Sequence, residues 1–249
     1  MSWWKNYFDD AYFDLHGDLF PESKSRSEVA AMRELLGLPV GARVLDVPCG
    51  WGRHTELFAE AACDAFGADI SYPLISRAEP HEGDHQPARY TVADVRALPF
   101  ADASFDAVCN VFTSLGLFLD DAEDILALRE AGRVLRPDGA FLLETMHRDD
   151  VISQYAERDA WTLPDGTEVR VRRTFDPVTG VSHEKLRWRR GTDEGRKAHS
   201  LRLRTATEID ALLRAAGFGD IEYFGDWFGR PLRHDSEHVI AVARNLPQT

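Results

Sequence analysis

The segment from Val44 to Thr55, with the sequence VLDVPCGWGRHT, constrains the fold of this chain most. An apolar strand ends in an acid, Asp46, and two closely spaced glycines, Gly50 and Gly52, precede a helical pattern. Glycine lets the backbone adopt φ > 0 and approach a ligand closely, and the first turn of a helix presents free N–H groups. The segment therefore predicts a ligand-binding turn at the carboxyl edge of a sheet.

Short apolar strands alternate with helical patterns on both sides of this turn. The predicted strands cover residues 42–46, 64–69, 89–94, 105–110 and 140–146, and the predicted helices cover 52–62, 72–79 and 121–135. A later helix at 207–216 precedes a closing pair of strands at 220–224 and 238–243. This order predicts an α/β fold with a Rossmann-like, mostly parallel seven-stranded sheet and helices on both faces.

The first 37 residues read as an N-terminal helical cap. Apolar residues recur at helical spacing over residues 3–20, and Gly17 and Pro21 interrupt the pattern. A second helix is predicted over residues 23–36, where Ser25 and Glu28 have the spacing of a capping box. We expect this cap to form a lid on a single domain that spans residues 1–249.

Residues 160–205 break the alternation of strands and helices. Two β-like runs flank a hairpin turn at 176–180, and Leu201 and Leu203 alternate with arginines in a third run. We interpret the segment as an antiparallel β insert after strand five, which covers the cleft as a lid or forms a homodimer contact.

Charge is unevenly distributed along the chain. The net charge is −13, which argues against a general nucleic-acid binder, yet residues 157–204 carry 12 basic and 8 acidic residues. The arginines of the insert would flank the entrance of a pocket, or would form an ordinary solvated strand face, which is the more common arrangement. They are Arg170, Arg172, Arg173, Arg187, Arg189 and Arg190.

We expect no metal site, no disulfide and no membrane-spanning segment. The three cysteines, Cys49, Cys63 and Cys109, show no CxxC spacing. Two histidine pairs at i, i+4 spacing, His81/His85 and His234/His238, fall in a Pro- and Gly-rich loop and at a strand start, so neither is a convincing metal site. The N-terminus does not read as a signal peptide, and the longest uncharged run is too short for a bilayer, so we expect a cytoplasmic protein.

The glycine turn does not have the spacing of a dinucleotide-binding loop. That fingerprint needs a third glycine where Thr55 stands. The acid four residues before Gly50 instead suits a zwitterionic ligand, because a carboxylate can meet an ammonium group. A nicotinamide-dependent oxidoreductase is therefore disfavoured.

The ordered set of motifs resembles the class I S-adenosylmethionine-dependent methyltransferases, and the small-molecule members in particular. Asp46 and the turn after it resemble the family's first motif, Asp69 ends strand two, and Asp94 ends strand three. The segments 104–110 and 133–139 look like the family's fourth strand and the turn before its fifth. The cofactor implied by this resemblance is S-adenosyl-L-methionine.

The resemblance also implies a set of cofactor-binding residues. Asp69 would accept hydrogen bonds from both ribose hydroxyls, and Asp94 and the Val95 backbone would meet the adenine. A proline, Pro48, stands where the family commonly has glycine or alanine, and we take it as tolerated. The remaining implied contacts of this part of the chain are Asp46, Cys49, Gly50, Gly52, Ile70 and Asn110.

The N-terminal segment is loosely similar to glycine N-methyltransferase. The resemblance implies that Arg26 binds the carboxylate of the methionine moiety and that Tyr12 closes over the cofactor, although a surface arginine and simple aromatic packing are the competing interpretations. A base is needed only where the attacking atom is protonated. His147, after strand five, is the preferred candidate, and His16 near the lid is the second.

The sequence favours methyl transfer to a small molecule through an N, O or C nucleophile. No nucleic-acid partner and no membrane are expected. A methyltransferase of RNA or protein, or a non-catalytic protein that binds S-adenosylmethionine, remains as an alternative.

Overall fold

A computed structural model describes residues 3–78 and 86–245 of the chain, with the side chain of Asn245 excepted. In chain order, the described strands are β1 (Arg43–Asp46), β2 (Asp64–Asp69), β3 (Arg89–Val92), β4 (Phe105–Asn110), β5 (Leu135–Met146), β6 (Arg158–Thr162), β7 (Glu168–Asp176), β8 (Val181–Arg190), β9 (Asp193–Arg202), β10 (Phe218–Phe224) and β11 (His238–Asn245). The described α-helices are α1 (Asp10–His16), α2 (Glu22–Leu36), α3 (Thr55–Glu60), α4 (Tyr72–Ile75), α5 (Asp121–Val134), α6 (Arg148–Ser153) and α7 (Ala206–Ala216). No helix among these residues is both long and apolar enough to cross a membrane.

The main sheet has seven strands in the order β3-β2-β1-β4-β5-β11-β10. Pairs from β3 to β5 are parallel, whereas β11 runs antiparallel to both of its neighbours. The carboxyl ends of β1 to β5 therefore meet the start of β11 at one edge. The order reverses between β2 and β4, on either side of β1, which is where open α/β sheets bind ligands. The predicted α/β, mostly parallel seven-stranded architecture is confirmed.

Both faces of the sheet are covered, because consecutive strand residues enter different cores. Leu45 and Phe141 pack in the core that includes α5 and α7, whereas Val44 and Leu142 pack in the core that includes α2 and α3. All four side chains are at most 1% exposed. Burial on both faces explains why these strands read as continuous apolar runs rather than as alternating ones.

The N-terminal cap differs from its predicted form. Residues 3–20 form two short 3-10 turns, Trp3–Asn6 and Gly17–Leu19, on either side of α1. Helix α2 begins at Glu22 with Pro21 as its N-cap, so the predicted capping box of Ser25 and Glu28 is wrong. Proline is pre-organised for the start of a helix, so the helix does not need Ser25 and Glu28 as caps. Both side chains instead accept hydrogen bonds from Arg53.

The insert is a separate antiparallel sheet of four strands, β6-β7-β8-β9, rather than the three predicted. Its inner face buries Val169, Val171 and Leu186 against Leu15 of the cap. The basic residues alternate with these and are exposed on the outer face, where Arg170 lies opposite Arg187 and Arg172 opposite Lys185. Strand alternation thus turns Arg170, Arg172 and Arg187 away from the cap, as expected for a solvated strand face, whereas Arg173 is partly buried and donates to Glu184 at 2.7 Å.

A buried ion pair connects the end of the insert to the main domain. The Arg204 and Asp124 side chains are 3% and 1% exposed, and a guanidinium nitrogen of Arg204 donates to the Asp124 carboxylate. The same nitrogen lies 2.8 Å from Asp121, and the Gly116 N–H donates to Asp124 at 3.2 Å. Burial raises the pKa of Asp124, although Arg204 opposes this shift.

Replacement of Arg204 by alanine would leave the Asp124 carboxylate buried without its cation. We expect the free energy of unfolding to fall by about 3–5 kcal/mol, measured by urea denaturation. The matched control is Arg214→Ala on α7, which removes an exposed pair with Asp210 and is expected to lower the stability much less. Equal losses for the two variants would contradict a structural role for the buried pair.

Candidate functional site

A cavity of about 350 Å³ lies at the carboxyl edge of the main sheet, under the cap and the insert. Polar side chains enter it from successive strand ends. They are Asp46, Asp69, Asp94, Asn110, Glu144 and His238. Aromatic rings of the cap, among them Trp4, Tyr7 and Tyr12, line the opposite wall.

The turn after β1 has the backbone conformation that the two glycines predict. Gly50 and Gly52 have φ values of 57° and 78°. Gly50 lines the cavity, and Gly52 lies between two residues that line it. A Cβ at Gly52 would collide with the ring of Tyr90, which packs behind the turn. The turn is therefore held close to the sheet, and Pro48 and Cys49 on it also line the cavity.

Asp46 presents an unpaired carboxylate oxygen. The side chain is 2% exposed, and its Oδ2 accepts a hydrogen bond from the Thr55 hydroxyl at 2.7 Å. Its Oδ1 is buried and has no hydrogen-bond partner. Burial raises the pKa of Asp46. A buried acceptor without a donor is costly, so this oxygen fits a ligand that donates a hydrogen bond or carries a positive charge.

Asp69 lies on the other side of the glycine turn. Its Oδ2 accepts from the Gly50 N–H and its Oδ1 from the Ser71 N–H, each at 2.8 Å. Burial raises the pKa of this carboxyl, and the two N–H donors oppose that shift. Carboxylate oxygens can accept more than one hydrogen bond, so Asp69 can still accept from ligand hydroxyls.

Asp94 has a partner that the sequence analysis did not include. The Arg96 guanidinium donates to both carboxylate oxygens, at 2.9 Å from Nε and 2.5 Å from Nη2. These bonds lower the pKa of Asp94. Asp94 still lines the cavity together with Val95 and Ile70, and the cavity also includes Asn110, whose Oδ1 accepts from Ser114 Oγ at 2.5 Å.

The structure places Arg53, rather than Arg26, at the cavity. Arg26 is on the outside of α2, where it pairs with Glu22 and Glu60. Arg53 lines the cavity, donates to Glu28 and Ser25, and lies 4.6 Å from the Phe20 ring centroid. The position of Arg53 directly after the glycine turn was the signal in the sequence that could have identified it.

The loop after β4 is held in an uncommon conformation. Phe112 and Thr113 have φ values of 65° and 54° without being glycines. The Phe112 N–H donates to Glu144 Oε2 at 2.6 Å, and Thr113 Oγ1 accepts from the Met146 N–H at 3.1 Å. Such backbone strain persists only where surrounding contacts maintain it, and it concentrates at functional sites.

Glu144 on β5 also binds His238 on the neighbouring strand β11, at the cavity. His238 Nδ1 lies 2.7 Å from Glu144 Oε1. This bond raises the pKa of His238, and burial opposes it. The sequence analysis did not identify this pair, because the two residues are far apart in the chain and meet only through strand pairing.

Two further histidines line the cavity from its cover. The ring of His16, the last residue of α1, stacks on Tyr12 with 4.3 Å between centroids, and its Nδ1 lies 2.8 Å from the Tyr12 carbonyl oxygen. His199, on β9, contacts the Trp3 and Tyr7 rings. Burial lowers the pKa of both imidazoles.

His147, the preferred candidate base from the sequence, lies outside the residues that line this cavity. It is 3% exposed and precedes α6, and its Nδ1 lies 2.9 Å from the Ser236 carbonyl oxygen. His81 and His85 fall outside the described residues. Within the described part of the chain, no group of three or more His, Cys, Asp or Glu side chains is placed to bind a metal ion.

Cap and insert are joined above the cavity. The ammonium group of Lys197 on β9 donates to the Tyr7 carbonyl oxygen at 2.7 Å and to Asp9 at 2.5 Å. The Ser71 hydroxyl donates to the Phe8 carbonyl oxygen at 2.5 Å, so the cap is also bound to the segment after β2. These contacts hold the cap and the insert together at the cavity.

Comparison with known proteins agrees with this geometry. Residues 44–139 match a family described as a methyltransferase domain. A demethylmenaquinone methyltransferase from Renibacterium salmoninarum is 33% identical over 138 residues, which are 55% of this chain and 55% of that protein. The matched region thus spans about half the length of this curated relative.

Solved structures are similar over nearly the whole chain. The CcbJ methyltransferase from Streptomyces caelestis has a TM-score of 0.79 at 17% identity and covers 97% of this chain and 98% of its own. CalS10, an amino pentose methyltransferase from Micromonospora echinaspora solved with bound S-adenosylmethionine, has a TM-score of 0.70 at 25% identity, with coverages of 96% and 98%. The resemblance seen in the sequence is confirmed to this extent: residues 44–139 match a methyltransferase domain, and the chain shares the fold of known methyltransferases.

Proposed function

We propose that this protein transfers the methyl group of S-adenosylmethionine to a small-molecule acceptor by in-line displacement. The observation that carries the proposal is the pair of carboxylates, Asp46 and Asp69, on either side of the Gly50 turn in a covered cavity. One has an oxygen that lacks a donor, and the other is fixed by two backbone N–H groups. This arrangement suits a ligand with an ammonium group and a vicinal diol.

The cavity residues fit S-adenosylmethionine in a definite orientation. Asp46 Oδ1 would accept from the ammonium group, and Asp69 would accept from the ribose hydroxyls. Ile70 and Val95 would contact the adenine, with Asp94 at its edge. The bound cofactor supplies an electrophilic methyl group, and the protein has to orient it and exclude water.

Arg53 is the residue that we propose for the cofactor carboxylate. It lies in the cavity beside the glycine turn, and its guanidinium has five N–H donors, of which Glu28 and Ser25 use only part. Arg26 faces solvent and already pairs with two glutamates. Arg53 therefore replaces Arg26 in the proposed set of cofactor contacts.

The covered cavity favours a small acceptor over a macromolecule. The cap and the insert close over the strand ends and are joined through Lys197, whose side chain is only 8% exposed. A nucleic-acid base or a protein side chain would have to pass this cover. Exposed arginines of β7 and β8, such as Arg170, Arg172 and Arg187, are on the outer face of the insert, away from the cap.

Calorimetric titration tests the cofactor assignment directly. We expect micromolar binding of S-adenosylmethionine and S-adenosylhomocysteine and no binding of NADH, because the turn lacks the third glycine of the dinucleotide fingerprint. Failure of both sulfur nucleosides to bind would reject the proposed function. Binding of NADH would favour the oxidoreductase alternative.

Replacement of Asp69 by alanine removes the proposed acceptor of the ribose hydroxyls. We expect the affinity for S-adenosylhomocysteine to fall by about 1–3 kcal/mol in the same calorimetric assay. The control is Asp102→Ala, which changes an exposed carboxylate outside the cavity lining. Unchanged affinity in the Asp69 variant would remove Asp69 from the cofactor site.

The two arginines can be distinguished with a truncated ligand. Because 5′-methylthioadenosine lacks the carboxylate, we expect Arg53→Met to weaken S-adenosylhomocysteine about tenfold more than it weakens 5′-methylthioadenosine. Arg26→Met is the matched control and is expected to change neither affinity. The opposite pattern, with the selective loss in the Arg26 variant, would return the carboxylate contact to Arg26.

A further inference from the structure

The cavity has two chemically different sides. The ends of β1, β2 and β3 carry the acids that the proposed function assigns to the cofactor. The other side is formed by the ends of β4 and β5, the start of β11, the cap and the insert. Of the four histidines that line the cavity, His54 follows the glycine turn and is bound to Glu28, whereas His16, His199 and His238 come from the cap, the insert and β11. An acceptor beside the cofactor would lie among them.

His16 has a fixed tautomer with a free lone pair. Its Nδ1 lies 2.8 Å from the Tyr12 carbonyl oxygen, and a carbonyl can only accept, so Nδ1 carries the hydrogen. The other ring nitrogen, Nε2, is then an acceptor, and it has no hydrogen-bond partner in the described part of the chain. Stacking on Tyr12, with 20° between the ring planes, fixes the orientation of the imidazole.

The charged groups around His16 keep it ready to accept a proton. From the insert, Glu184 favours the protonated form, whereas Lys197 disfavours it. His199 is a further titratable neighbour from β9. Burial is the largest influence and lowers the pKa of His16. The imidazole is therefore neutral at neutral pH, and a carboxylate stands near enough to stabilise a positive charge that develops on it.

The other two histidines are less suited to this role. His238 donates through Nδ1 to Glu144, and its Nε2 lies 4.0 Å from the exposed Glu237 carboxylate. His238 also lines a second groove on the outside, so it stands in the wall between the cavity and that groove. His199 has a buried Nδ1 without a hydrogen-bond partner, 3.7 Å from Glu184.

We propose that His16 Nε2 accepts a proton from the N–H or O–H of the methyl acceptor, which makes the acceptor an amine or a hydroxyl compound. This inference rests on the proposed function. The acceptor atom bonds to the methyl carbon as the S–C bond breaks, and the electron pair of that bond goes to sulfur. The proton of the acceptor moves to His16 Nε2. The positive charge lost by the sulfonium thus reappears on the imidazolium, which Glu184 stabilises.

The test uses three analogues of S-adenosylmethionine in which a tertiary amine replaces the sulfonium. In place of the methyl group, one analogue carries a propyl arm, one a 2-hydroxyethyl arm and one a 2-aminoethyl arm. Each arm extends to the acceptor side, so no acceptor has to be known. Calorimetry at pH 8 measures how much tighter each polar arm binds than the propyl arm.

In the unsubstituted protein, we expect at least one polar arm to bind about tenfold tighter than the propyl arm, because it donates to Nε2. The stronger of the two identifies the acceptor as amine or hydroxyl. His16→Phe keeps an aromatic ring against Tyr12 but removes the lone pair. In this variant, we expect the polar and propyl arms to bind equally tightly, while S-adenosylhomocysteine still binds. His183→Phe, on the outer part of the insert, is the matched control and is expected to retain the preference.

The pH dependence separates His16 from His238. A protonated Nε2 cannot accept, and burial places the pKa of His16 below the ordinary value of 6.5. The preference should therefore persist from pH 8 to 6.5 and disappear only at lower pH. Loss of the preference above pH 7, or its loss in His238→Phe but not in His16→Phe, would overturn the proposal. Absence of S-adenosylhomocysteine binding in the unsubstituted protein would instead overturn the proposed function.

Discussion

The need to satisfy buried carboxylates at one edge of the sheet organises this molecule. Parallel strands bring their carboxyl ends together, so Asp46, Asp69 and Glu144 meet in a volume from which water is largely excluded. Each charge there is costly unless it is hydrogen-bonded or paired. Asp69 has two backbone donors, and Glu144 has the Phe112 N–H and His238. The oxygen of Asp46 that remains without a donor therefore marks where a cationic ligand is most strongly favoured.

Sequence pattern predicted the sheet and the glycine turn well, because both depend on local features. Strand periodicity, Asp46 and the two glycines lie within a few residues of one another and determine the turn between them. The start of α2 was predicted wrongly because a plausible capping pair competed with Pro21, and proline determined the boundary. The strand of the insert that was not predicted, β6, is short and mostly exposed, and it forms through pairing with β7 rather than through its own propensity.

The parts of the site that could not be predicted all depend on contacts between distant residues. The resemblance in the N-terminal segment pointed to Arg26, and only the packing of α2 against the turn shows that Arg53 faces the cavity instead. The Glu144–His238 bond joins residues 94 positions apart. The site residues themselves stay predictions until ligand binding is measured, although the fold that positions them is shared with known methyltransferases.

The cover of the cavity is held in place by both polar and apolar contacts. The cap is bound by polar contacts, Lys197 with Asp9, Ser71 with the Phe8 carbonyl, and Arg77 with Asp10. Apolar contacts add to these, because Leu15 of the cap packs against Val169 and Leu186 of the insert. The same cap carries Tyr12 and His16 on one helix, one turn apart. The folded cap therefore places the aromatic wall and the free nitrogen of His16 at the cavity together, so that one helix serves both the cofactor side and the acceptor side of the proposed site.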